Sequence, residues 1–178
     1  YKIPSDITFS EYEEGVPLAF EKTWDKYTTG EINKQETVKM LGEEIASWFF
    51  TDVVPSGGVG LTEPGETAQS TIMLDPGKYI MECYVKMQDG TWHTAMGMYK
   101  MFTVTEDSTG MEAPTANYEL SLTNYDISTS GSMNQGTNTI AVHARDTPDG
   151  FMMHDINLFR LNDTTLVNDL VEWMDWME

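Results

Sequence analysis

The sequence predicts a mainly β fold, a Greek-key sandwich of largely antiparallel strands that carries two amphipathic helices. Three observations predict it. Short runs alternate apolar and polar residues with the period of two that half-buries one strand face, and Gly or Pro turns bound several of them. Two other stretches repeat apolar residues every three or four positions, the spacing of a helix with one buried face. The 178 residues are 40% hydrophobic and 11% aromatic, enough for the core of one domain.

Residues 6–11 (DITFSE) read as the first strand, with Ile7 and Phe9 on one face. Ile32, Val38, Leu41, Ile45, Trp48 and Phe49 then recur at helical spacing and predict a helix over residues 33–50, which the segment 53–60 (VVPSGGVG) ends. Residues 67–74 followed by Asp75-Pro76-Gly77 read as a strand and a tight turn, because Pro presets φ and Gly accepts a positive one. Tyr79, Met81, Cys83 and Val85 share one face of the next strand. After a loop at Gln88-Asp89-Gly90, residues 101–105 (MFTVT) supply its hairpin-like partner.

Residues 110–116 (GMEAPTA) form a connector. Residues 118–127 (YELSLTNYDI) and 138–144 (NTIAVHA) alternate like strands, separated by turns at Gly131 and Gly136. Residues 154–161 (HDINLFRL) read as another strand. Asp163 or Thr164 can cap a short helix whose apolar face, Leu166, Val167, Leu170, Val171, Trp173, Met174 and Met177, calls for burial. The two ends of the chain share a plan of extended run, turn, extended run and helix, in which residues 17–24 match 153–160 and Leu18 falls near the position of His154. The organisation expected is a first domain over residues 1–110 and a second half-repeat over 111–178, packed on the first within one compact unit or exchanged in a homodimer.

Composition excludes some partners. There are 29 acidic and 10 basic residues, a formal net charge of −19, and the only arginines are Arg145 and Arg160. A nucleic-acid partner is not expected, because phosphate contacts need a clustered basic footprint and a polyanion would be repelled. The acid excess reads as a solvated coat, since no calcium loop of the Asp-x-Asp-x-Asp-Gly type occurs. No run reaches the roughly 18 apolar residues of a transmembrane helix, so none is expected. The start at Tyr1 without Met fits removal of an export signal or a piece of a longer chain, and the location expected is periplasmic or extracellular. A single Cys, Cys83, excludes a disulfide framework and a Cys-based zinc cage.

Asp75-Pro76-Gly77-Lys78-Tyr79, leading through Cys83 to His93, Met96, Gly97, Met98 and Phe102-Thr103-Val104, resembles the C-terminal signature of the cupredoxins. The resemblance covers about residues 67–105, and more loosely 117–174. It implies a cupredoxin-like Greek-key sandwich in which copper would be held by a thiolate, two imidazoles and a weak axial thioether. By position it implies Cys83 as the thiolate, His93 as the C-terminal imidazole, and Met96 or Met98 as the axial ligand. Two departures stand beside it. Nine residues separate Cys83 from His93, and no His precedes His93, so His154 alone is left to complete a set.

Each candidate also has a plain structural reading. Cys83 serves as a small buried hydrophobe, His93 beside Trp92 as a turn cap, and the methionines, thirteen in all with Met152 and Met153 before His154, as core filler or as soft donors to Cu(I). Catalytic machinery is not visible: there is no His-Glu-x-x-His helix, no phosphate loop or dinucleotide fingerprint, and no Gly-x-Ser-x-Gly elbow. Adjacent carboxylates such as Glu43 and Glu44 diverge in direction. The function expected is a non-enzymatic secreted binding or structural module with no cofactor and an unidentified protein or small-molecule ligand. The alternative is a copper-binding or electron-transfer protein using His93 and Met96 or Met98 with Cys83 or His154.

Overall fold

The computed structural model describes residues 1–149 and 153–177. The chain divides into two compact units, Tyr1–Val54 with Pro76–Thr105 and Phe159–Glu178, and Pro55–Asp75 with Glu106–Leu158.

The first unit opens on a short strand, β1 (Lys2–Ile3), and then turns helical. Thr8 caps α1 (Phe9–Gly15): its Oγ1 accepts from Glu11 N at 3.2 Å, and Glu11 Oε2 accepts from Thr8 N at 2.8 Å. This reciprocal box satisfies two helix-end donors that would otherwise be orphaned. Pro17 then sits in the first turn of α2 (Pro17–Thr28), where its fixed φ suits a helix and its missing N–H costs nothing. Asn33 and Glu36 repeat the box at the head of α3 (Lys34–Glu44), with bonds of 3.0 and 2.9 Å. Extended backbone at Ile45 and Ala46 ends that helix and leads into α4 (Ser47–Thr51).

Strands β2 (Gly77–Glu82) and β3 (Tyr99–Val104) pair antiparallel, with Tyr79 opposite Phe102, and β1 lies on the other side of β2. Their core joins Ile3, Tyr12, Val16 and Ile80, with Ile7, Ile45, Trp48, Phe49 and Met101 packed around it. Ile80 is 2% exposed, and a side chain of its size buried so completely contributes about 1.5–3 kcal/mol. Helix α5 (Val167–Met174) belongs to the same unit.

The second unit holds strands β4 (Tyr118–Thr123), β5 (Asp126–Gly131) and β6 (Ile140–Ala144) in the order β5-β4-β6. β4 and β5 form an antiparallel hairpin around Asn124-Tyr125, and Tyr125 takes a φ of 66°. β6 runs parallel to β4. Leu122, 4% exposed, is the only apolar side chain of this unit that is buried among the described residues.

These findings correct the expected Greek-key cupredoxin-like β-sandwich. A sandwich needs two sheets facing across one core, whereas each unit here holds one three-stranded sheet, and the first unit's sheet shares its core with helices. The run 6–11 enters α1 rather than a strand, and residues 17–24 lie in α2, because capping chemistry and a Pro-started helix outweigh a three-residue alternation. The helical start removes the shared plan of the two chain ends. Residues 67–74 and 154–161 form no ladder, and 118–127 is a hairpin arm and its turn rather than one strand. The face of β2 turned to the helices carries Ile80 and Glu82, while Met81 is 66% exposed. The capping of the last helix falls to Asp169, whose carboxylate accepts from Leu166 N at 2.8 Å, rather than to Asp163 or Thr164. Its apolar residues Val167, Val171 and Trp173 stay exposed, and Met177 is buried. No helix among the described residues is long and apolar enough to cross a membrane.

Candidate functional site

The segment between β2 and β3 folds back on itself beyond the end of their ladder, with an isolated bridge between Lys86 and Trp92. Cys83 N donates to Met98 O at 3.0 Å, His93 N to Val85 O at 2.9 Å, and Met87 N to Thr91 O at 2.7 Å. The tip turns through Asp89 and Gly90, where Asp89 Oδ1 accepts from Thr91 N at 2.9 Å and Gly90 takes a φ of +87°. Folding the segment back on itself cancels the nine-residue separation. Thr94 Oγ1 donates to Cys83 O at 2.6 Å, and Cys83 Sγ lies 3.4 Å from His93 Nδ1.

The other ring nitrogen of His93 stands 3.0 Å from Met87 Sδ. A thioether has no proton to give, so this contact is a hydrogen bond only in the tautomer with the hydrogen on Nε2, in which Nδ1 is an acceptor facing the Cys83 thiol. The arrangement is a line of sulfur, imidazole and sulfur. Its two sulfurs lie on opposite sides of the ring and cannot bind one ion through one imidazole. Cys83 is half-buried, so the pair is reachable from solvent.

Directly before Cys83, Glu82 points the opposite way, as successive strand residues do. Its carboxylate accepts hydrogen bonds from the phenols of Tyr12 and Tyr84. Burial pushes its pKa up to about 7, with the Tyr12 hydrogen bond pulling in the other direction. Burial is also the main reason that the Tyr12 phenol is pushed far above its ordinary value.

Of the residues expected at a copper site, the structure brings Cys83 and His93 together. Met96 and Met98 are 64% and 51% exposed, and the thioether that meets the ring belongs to Met87. His154 lies in the second unit, where its Nε2 is 3.0 Å from Asp146 Oδ1 and that bond holds the Asp146 carboxyl below its usual range. Met152 lies outside the described residues. A blue-copper set of one thiolate and two imidazoles does not fit the first unit, whose only histidine is His93. Among the described residues, no group of three or more His, Cys, Asp or Glu side chains is placed to hold a metal ion. The sequence reading missed Met87. The signal for it was the Asp-Gly turn, which sets residue 87 opposite 91 and so brings it alongside the ring of residue 93. No protein-family model, curated protein or solved structure matches the chain.

Proposed function

We propose that the chain is a non-enzymatic binding module whose first unit takes one thiophilic monovalent ion, Cu(I), between Cys83 and His93. The observation that carries this reading is the 3.4 Å separation of Cys83 Sγ and His93 Nδ1, with Met87 holding the far side of the ring. With a metal–sulfur bond of about 2.3 Å and a metal–nitrogen bond of about 2.0 Å, an ion at a near-tetrahedral angle spans roughly 3.4–3.5 Å. The thiol proton shared with Nδ1 therefore sits where such an ion would replace it. A thiolate donor favours Cu(I) over hard ions, and imidazole suits copper as well.

A thiol–imidazole pair is also the core of cysteine nucleophiles, but there a third group orients the imidazole and supports its positive charge. A thioether is a weak acceptor and gives that charge little support. Binding is thus favoured over catalysis. The formal charge of −19 supports a partner other than nucleic acid.

The reduced full chain, titrated anaerobically with Cu(I) against a competing chelator, should bind one equivalent. Cys83→Ser and His93→Ala should each weaken binding by more than the roughly 10–100-fold that loss of an outer-sphere partner costs. No uptake in competition, or an unchanged affinity in Cys83→Ser, would overturn the reading.

A further inference from the structure

Helix α5 is held at one end and left uncovered along its side. Beyond its last turn, Lys34 Nζ and Asp175 Oδ2 pair at 3.1 Å, Lys86 Nζ donates to Trp176 O at 3.0 Å, and the Tyr27 phenol donates to Met177 O at 2.6 Å. Met177 is buried, and the Trp176 ring lies 5.6 Å from that of Trp24 and 6.2 Å from that of Trp92 between centroids. The tail therefore fixes the helix without using the helix's own apolar side. On that side Val167, Leu170, Val171 and Met174 recur at the i, i+3, i+4, i+7 spacing by which a helix docks in a groove or on another helix. Val167, Val171 and Met174 are 65%, 63% and 46% exposed, and Trp173 beside them is 66% exposed. Single apolar side chains on a surface need no explanation, but a contiguous apolar patch marks an interaction site.

Charge selects the occupant. From Leu161 to Glu178 the chain carries five acidic residues and no basic one. Asp169 borders the stripe one turn before Trp173, and Asp163 precedes the helix; neither forms an ion pair among the described residues. A second copy would set the same carboxylates against these, on top of a net charge of −19 on each chain. Bilayer surfaces take amphipathic helices whose polar face is rich in Lys and Arg, the reverse of this one. We propose that the apolar side of α5 docks a basic amphipathic helix of another protein. That helix lays its own apolar stripe on Val167, Val171, Trp173 and Met174 and sets its lysines or arginines against Asp163 and Asp169. Because the tail already holds α5 in place, the ordering cost of docking falls on the partner. The docking needs no metal and no part of the Cys83–His93 pair.

The test titrates the metal-free full chain into a fluorescein-labelled peptide of about 18 residues, made of Leu and Lys with Leu at helical spacing. A second peptide has the same composition in an order that breaks that spacing. Anisotropy should rise along a saturable curve with the first, and the reordered peptide should bind roughly ten-fold more weakly or worse. Val171→Asn, an exposed change that spares the anchored tail, should weaken binding of the first peptide by about ten-fold and leave the thermal unfolding midpoint in place. The chain alone should sediment as a monomer, and phosphatidylcholine vesicles should take up none of it. Equal binding of the two peptides would mean attraction to the net charge alone. That result, full affinity in Val171→Asn, a dimer that Val171→Asn dissolves, or uptake by the vesicles would each overturn the proposal.

Discussion

The phenol of Tyr12 on α1 donates to the carboxylate of Glu82 at the end of β2, fastening the helical and sheet layers of the first unit across 70 residues of chain. The hydroxyl of Tyr84 donates to the other oxygen of the same carboxylate. Tyr12 is fully buried, so the acid between them is shielded from water on the core side.

That shielding makes stability depend on pH. Burial raises the Glu82 pKa from its ordinary 4.5 to about 7. Between those values the folded chain binds the proton more tightly than the unfolded chain, so the contribution is complete below about 4.5 and is lost as pH rises through about 7. The whole effect is roughly 3 kcal/mol. Self-repulsion of a net −19 chain also favours lower pH, so the informative comparison is with Glu82→Gln. Urea midpoints at pH 5 and pH 8 should differ more in the parent than in this variant. Equal pH dependence in the two would show that Glu82 is not the buried acid described.

The head of α1 gives a test that separates helix from strand at one position. Thr8 accepts from Glu11 N, and Glu11 accepts in return. Thr8→Val deletes the cap while keeping a β-branched side chain, and should destabilise the chain by about 1 kcal/mol in urea unfolding. Were residues 6–11 a strand, the same change would be neutral or favourable.

The same positions explain what the sequence made legible. The start of helix α3 could be read from Asn33 and its period from Val38 and Leu41. Its end could not, since extended backbone at Ile45 splits the expected helix 33–50, nor could its buried side, since Thr37 is buried and Val38 is 57% exposed. The β2–β3 hairpin could be read because a Pro-Gly turn opens β2 and an Asp-Gly turn reverses the chain before β3, and the contact of Cys83 with His93 follows from the second turn. Residues 6–11 misled because Ile7 and Phe9 give a period of two over only three residues, and the capping pair Thr8 and Glu11 outweighed it. Residues 154–161 misled for a different reason. Alternation describes one face of a strand but says nothing of a neighbour to pair with. Met87 and Glu82 stayed hidden because their importance comes from what other elements place against them.

At the hairpin tip, Met87 Sδ faces His93 Nε2 at 3.0 Å, an acceptor that favours the tautomer with the hydrogen on Nε2, and it does not touch the place proposed for the ion. Met87→Leu keeps the size and loses the acceptor. Cu(I) affinity should fall by about ten-fold, less than for loss of His93 itself, as expected of a group that orients a ligand. The histidine ring nitrogens provide a second readout, since ¹⁵N shifts in the metal-free chain should show a larger share of the other tautomer in Met87→Leu. An unchanged tautomer ratio would remove Met87 from any orienting role.

In the second unit the decisive position is Gly131, the last residue of β5, which pairs with Tyr118. Its φ of +91° disfavours any residue with a Cβ, and a Cβ there would stand 2.4 Å from Asn117 O, a backbone atom. Asn117 cannot step aside cheaply. Its N donates to Thr139 O at 3.0 Å, its Oδ1 accepts from Thr139 N at 2.7 Å, and its Nδ2 donates to Ser132 O at 3.2 Å. Gly136 provides the control, with a φ of +109° but open space where its Cβ would go. Gly136→Ala should therefore cost backbone strain alone, about 1–3 kcal/mol, whereas Gly131→Ala adds the clash and must part β5 from β4 or release Asn117. Amide exchange at Tyr118 and along β4 should accelerate by roughly ten-fold or more in Gly131→Ala relative to Gly136→Ala, since each 1.4 kcal/mol lost to local opening is a factor of ten. Equal exchange in the two variants would mean that β5 does not close on Asn117 in solution.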